Sequence, residues 1–161
     1  MSNLFLKKVK VLSKQNKIKF DFVLNGDDLS GTYSEPAAPE FYKSLEMLDK
    51  TACQILEVPE EMADRIIPYG ATFSFVDDGC TTKASIQCKL EMLQSDTEAN
   101  VSTPMRTVSV EYEDGLEPDA CRAINEFYNA AVAYLKGHRA QTHLFEDAEK
   151  DVTPRPVQIA G

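Results

Sequence analysis

At 161 residues the chain has the length of one ordinary domain with a single core, and is too short for two well-buried domains plus a linker. Hydrophobic residues at 43%, charged residues at 27%, and only 7 Gly and 8 Pro exclude the collagenous, low-complexity and wholly disordered classes. The formal net charge of -9 is unevenly placed: residues 1–19 hold six lysines and no acid, whereas residues 20–161 hold the other 11 basic and all 26 acidic residues, a balance of -15.

In the basic segment, Val9 and Val11 alternate with Lys8 and Lys10. After Ser13-Lys14-Gln15-Asn16 the alternation resumes, with Ile18, Phe20, Phe22 and Leu24 against Lys17, Lys19 and Asp21. This predicts a β-hairpin with its apolar set facing the core and Lys8, Lys10, Lys17 and Lys19 together on the other face. Like charges opposite one another in a ladder are destabilising, so four lysines on one small face want an explanation. One is a platform for a phosphate backbone, releasing a counterion per neutralised phosphate. The other is a solvated edge hairpin that discourages edge pairing, or a patch paired with acids of this chain or of a second subunit. Phe20 and Phe22 point inward, so this face is expected to lack the aromatics on which single-stranded bases stack.

From Pro39 onward, Phe41, Leu45, Leu48, Ala52, Ile55 and Leu56 recur at helical spacing and predict one amphipathic helix ending at Val58 before Pro59. Glu60 to Ile67 suits a short helical turn closed by Pro68-Tyr69-Gly70. A second hairpin follows, with Ala71, Phe73 and Phe75 in one strand, a turn at Asp77-Asp78-Gly79, and Ala84, Ile86, Cys88, Leu90 and Met92 in the other. Gln94 to Pro104 reads as a loop and Arg106 to Tyr112 as a strand with Val108, Val110 and Tyr112 on one face. A last helix starts at Pro118, carries the stripe Ala120, Ile124, Phe127, Ala131, Tyr134 and Leu135, and stops at Gly137. The order ββαβββα predicts a single α+β domain over residues 1–137, a mainly antiparallel sheet with two amphipathic helices packed on one face.

Catalytic signals are weak, and no enzyme activity or cofactor is expected. Cys53, Cys80, Cys88 and Cys121 are widely spaced with no C-x-x-C pair, which argues for buried or half-buried free thiols rather than zinc. Both histidines, His138 and His143, lie beyond the last helix, where nothing fixes a nucleophile beside them. The glycines form no phosphate-cradling motif. Asp27-Asp28 and Asp77-Asp78, with Glu91 or Glu111, are in principle able to hold Mg²⁺ for nuclease chemistry. The same pairs sit beside Gly26 and Gly79, where aspartate favours turns. No apolar run approaches the ~20 residues of a membrane helix, and the chain is expected to be cytoplasmic.

Residues 138–161 are polar and proline-containing, and read as an extended or mobile tail. Within it, Gln141-Thr142-His143-Leu144-Phe145 resembles the Q-x-x-L-F peptide by which many partners dock on the bacterial sliding clamp of DNA replication. That resemblance implies that Leu144 and Phe145 fill a pocket of the partner while the Gln141 amide bonds at a second subsite. The alternative is a latch in which the pair folds back on the domain or on a second subunit, making a homodimer. Ala71-Thr72-Phe73-Ser74-Phe75, Ser102-Thr103-Pro104-Met105 and the Gly137 to Gln141 segment with Leu144-Phe145 together resemble a family of small early-region proteins of tailed bacteriophages and prophages, met near recombination and replication functions. The resemblance implies origin and setting, not mechanism. The leading expectation is a non-enzymatic phage accessory protein of DNA metabolism, contacting nucleic acid through its lysine hairpin and a host clamp through its tail. The alternative is an acidic inhibitor that occupies the nucleic-acid groove of a host defence enzyme, motivated by the -15 of residues 20–161.

Overall fold

The computed structural model describes residues 4–76, 81–109 and 115–137. Its strands are β1 (Leu4–Leu12), β2 (Lys17–Leu24), β3 (Asp27–Tyr33), β4 (Ile66–Val76), β5 (Thr81–Glu91), β6 (Glu98–Ser102) and β7 (Arg106–Thr107). Its helices are α1 (Pro39–Glu46), α2 (Leu48–Leu56) and α3 (Pro118–Leu135), with single 3-10 segments at Ser13–Gln15 and Glu60–Arg65. The strands form one antiparallel sheet in the order β3-β2-β1-β4-β5-β6, with β7 on β5 beyond β6. This is the expected α+β class with a mainly antiparallel sheet.

Period-2 alternation makes the sheet two-faced. Leu6, Val9, Ile18, Phe20, Ala71, Phe73, Ala84, Ile86 and Cys88 are all buried and meet the helices. α3 supplies the main counterpart: its Ala120, Ile124, Phe127, Ala131 and Tyr134 form a buried stripe at helical spacing. Tyr134, fully buried, stacks on Phe20 with ring centroids 5.3 Å apart and donates its hydroxyl hydrogen to the Glu35 carbonyl at 2.6 Å. Cys53, Cys88 and Cys121 are free thiols, the first two buried.

Several elements differ from the sequence reading. Asp27-Asp28 opens β3 rather than making a turn, because the turn is Asn25-Gly26, both at positive φ (52° and 88°), which closes the β2–β3 hairpin with Leu24 opposite Asp27. The helix expected to be continuous from Pro39 is divided at Met47. The 94–104 loop contains β6. Of the described part of the expected Arg106 to Tyr112 strand, residues 106–109, Arg106–Thr107 is strand; residues 110–112 fall outside the described residues, as does the Asp77-Asp78-Gly79 turn. Pro68-Tyr69-Gly70 closes no helical turn; it lies inside β4, whose register against β5 slips by one residue between Pro68 and Gly70.

The core's buried titratable groups set an expectation for alkaline stability. Burial pushes the Cys88 thiol up to about 12 from an ordinary value of 9.0, and burial likewise raises the Tyr134 phenol. Above about pH 9 the unfolded chain gives up these protons while the folded chain keeps them, so stability falls as pH rises. Stability, and the thermal midpoint with it, is expected to fall between pH 9 and pH 11, with a limiting slope of about 1.4 kcal/mol per pH unit for each group that titrates only on unfolding. A flat profile over that range would contradict the assignment.

Candidate functional site

The hairpin register decides where the lysines go. Lys8 lies opposite Asp21, Lys10 opposite Lys19, and Leu12 opposite Lys17, while the alternate pairs Val9 with Phe20 and Val11 with Ile18 face the helices. All four lysines therefore project from the side of the sheet away from the helix layer. Lys17 and Lys19 are exposed and Lys8 and Lys10 half-buried. Following the ladder through Lys10, one row crosses six strands as Thr32, Lys19, Lys10, Gly70, Gln87 and Ser102. The next row runs Ser30, Asp21, Lys8, Thr72 and Ser85. Apart from Gly70, both rows are polar, so they carry no apolar side chain that calls for burial in a core.

Among the described residues, none of Lys8, Lys10, Lys17 and Lys19 forms an ion pair. The pairs present are Lys7 with Asp28 at 3.2 Å, Lys89 with Glu98 at 3.9 Å and Arg122 with Asp119 at 2.8 Å. Asp21, the carboxylate placed to neutralise Lys8, accepts a hydrogen bond from the Ser30 hydroxyl at 2.6 Å instead. Lys10 and Lys19 thus remain a like-charged pair held opposite one another, an arrangement that costs stability.

The face is not free of aromatics, contrary to the expectation from Phe20 and Phe22. The bulge in β4 places Tyr69 as an extra residue between Pro68, opposite Cys88, and Gly70, opposite Gln87. Its ring comes out among the lysines: the Lys10 ammonium lies 5.5 Å and the Lys89 ammonium 5.9 Å from its centroid, within cation–π reach. Gly70 is what allows this corner to close. A Cβ there would stand 2.5 Å from the Val9 carbonyl oxygen and 3.1 Å from the Lys10 Cα, so β4 approaches β1 more closely than a side chain permits.

Carboxylates gather elsewhere. Glu91 and Glu98 face each other at the far corner of the sheet, on β5 and β6. Seven acids against two lysines lie in residues 40–64, on α1, α2 and the segment after them, and all but Asp49 are exposed. A shallow cleft of about 390 Å³ opens where β1 bulges at Lys7, but its lining mixes Lys7 and Lys8 with Asp21 and Asp28 and so has no single charge preference.

The remaining sequence candidates divide between dispersed and undescribed. Asp27 and Asp28 lie at the start of the edge strand and Glu91 at the end of β5. Asp77, Asp78 and Glu111 are outside the described residues, and among those described no three His, Cys, Asp or Glu side chains converge as a metal site. Gln141, Leu144 and Phe145, with the whole 138–161 tail, also lie outside the described residues. No helix among the described residues is long and apolar enough to cross a membrane. The chain matches no known family, no curated protein and no solved structure, so any reading of the lysine face has to come from its own residues.

Proposed function

We propose that this protein binds the phosphate backbone of nucleic acid on the open face of its sheet, as a non-enzymatic phage accessory protein of DNA metabolism. The observation that carries the reading is the set Lys8, Lys10, Lys17 and Lys19 on the sheet face away from the helices, with no ion-paired carboxylate among the described residues. Holding Lys10 against Lys19 costs stability in the free protein, and a bound polyanion turns that cost into affinity. The acids of residues 40–64 belong to the opposite layer, where they leave these ammonium groups unquenched. The test is a salt titration of a labelled oligonucleotide. Four neutralised phosphates on a single strand give a slope of log K against log salt of about -3, or roughly a 50-fold loss between 50 and 200 mM. No detectable binding at 50 mM salt overturns the reading.

The tail adds a tether. Gln141, Leu144 and Phe145 supply the two apolar anchors and the amide of a clamp-docking peptide, which would concentrate the protein at replicating DNA without high intrinsic affinity. Purified bacterial sliding clamp is expected to co-elute with the full chain and not with the L144A/F145A double variant, while the DNA salt titration is identical for both. Retention of the variant by the clamp removes the tether.

A second reading is favoured by the exposed acids of residues 40–64: a surface that substitutes for phosphates and occupies the basic groove of a host nucleic-acid enzyme. Under it the protein inhibits such an enzyme in a salt-sensitive manner and shows no affinity of its own for DNA.

A further inference from the structure

We infer that the lysine face is built for single-stranded rather than duplex nucleic acid, with Tyr69 as the ring on which one base stacks and Lys10 and Lys89 as contacts for the phosphates on either side. This rests on the backbone-binding reading above and specifies its substrate.

The first support is that Tyr69 is where the core does not need it. Of the twelve phenylalanine and tyrosine rings in the described residues, ten join ring pairs, whereas Tyr69, like Phe22, forms none. Its ring is instead half-buried on the polar side of the sheet. Alternation from Ile66, buried on the core side, sends Ile67, 41% exposed opposite Lys89, and then Tyr69 outward, and would send Gly70 inward. The one-residue slip keeps Gly70 in the Lys10 row, leaving both Tyr69 and Gly70 toward the lysines. The bulge spends a ladder position on an aromatic ring that buries nothing in the core.

The second support is the spacing of charge about the ring. The Lys10 and Lys89 ammonium groups lie at the outer limit of cation–π contact, at 5.5 and 5.9 Å, and Lys89 divides its charge with Glu98 at 3.9 Å. Neither is locked. Long flexible stems let both reach phosphate oxygens while a base takes the ring. Bases inside a duplex have both faces covered by their neighbours, so only a strand with unstacked bases can use such a ring. An aromatic ring set among cations is the combination that gives single-strand preference, since stacking adds to the phosphate term without reading sequence. Exposed Ile67, on the same face, extends the apolar surface a base would meet.

The experiment measures anisotropy of labelled twelve-nucleotide probes at 50 mM salt: a thymidine single strand of DNA, a uridine single strand of RNA, the same DNA strand with abasic sites throughout, and a DNA duplex. The wild-type protein is expected to bind either single strand about tenfold more tightly than the duplex or the abasic strand. Tyr69→Ala should lose about tenfold for the single strand, in keeping with the loss of one stacked base, while its salt slope and its affinity for the abasic strand stay as in wild type. Tyr69→Phe should bind as wild type. The abasic comparison needs no variant and so stands even if Tyr69→Ala folds poorly. Equal wild-type affinity for normal and abasic strands, or an unaffected Tyr69→Ala, overturns the stacking inference. If salt-dependent binding persists in that case, the backbone reading survives alone; if no probe binds at all, both fall.

Discussion

Replacing Lys8, Lys10, Lys17 and Lys19 together by glutamine is expected to remove nucleic-acid binding while leaving the fold as stable as before. The affinity term follows from counterion release: the slope of about -3 from these four charges, carried from molar salt down to 50 mM, amounts to between three and four orders of magnitude, which the variant removes. Glutamine keeps most of each aliphatic stem, so the packing of the half-buried Lys8 and Lys10 stems changes little. The stability term has the opposite sign from most multiple substitutions. Lys10 and Lys19 repel each other across the ladder, and none of the four lysines has an ion pair to lose among the described residues. The thermal midpoint is therefore expected to hold or rise by a degree or two. A variant that melts at the wild-type temperature and still binds DNA with the wild-type salt slope would show that this face is not the interface.

That pairing of outcomes also separates the two functional readings. An inhibitor acting through the acids of residues 40–64 would keep its activity in the lysine variant, since those acids lie on the helix layer and not on the open face. A nucleic-acid binder loses the affinity and the salt dependence that these four charges carry.

The lysine face was legible in the sequence because its reverse side is a core. Val9, Val11, Ile18, Phe20 and Phe22 alternate with polar residues, and a one-residue slip would have turned that set to water, so pattern and register had to agree. α3 was legible for the same reason at helical spacing. β3 was not, because as an edge strand it buries none of its seven residues, and apolar alternation is absent where nothing is covered. Its one local signal was Asn25-Gly26, a pair that adopts the positive φ angles of a two-residue hairpin turn. β6, another edge, is equally silent: it alternates only between exposed and half-buried. Tyr69 was hidden by a different cause. Pro68-Tyr69-Gly70 has the composition of a turn, and only pairing with Cys88 and Gln87 reveals it as a bulged stretch of strand that carries a ring on the lysine face. Such information is tertiary and has no local period to betray it.

The largest loss of stability from a single methyl group is expected at Gly70. In Gly70→Ala the new Cβ would stand 2.5 Å from the Val9 carbonyl oxygen and 3.1 Å from the Lys10 Cα, and since both are backbone, no rotamer change relieves the contact. The glycine is needed for closeness and not for a left-handed conformation, unlike Gly26 at φ +88°. The β1–β4 ladder pairs only Lys8–Lys10 with Gly70–Thr72, so separating the strands at Gly70 strains the whole ladder. Val9 and Ala71, at 0% and 2% exposure, would be drawn apart with the strands and open the core between the hairpin and the rest of the sheet. Overpacking of this kind costs about 3 kcal/mol, which for a chain of this size lowers the midpoint by roughly 6–12 °C. Gly31→Ala is the matched control. The nearest atoms to its Cβ belong to the Tyr33 ring, at 2.9 Å on an edge strand; that ring also packs edge-on against Phe20 and Tyr134, but as a side chain it gives more readily than backbone, so a smaller loss is expected. Because Lys10 and Tyr69 flank the same junction, Gly70→Ala should also weaken single-strand binding under conditions where it is still folded, whereas Gly31→Ala should not. A Gly70→Ala protein that melts within 2 °C of wild type would mean that β1 and β4 do not approach as described, and the lysine row that crosses them would lose its geometry with it.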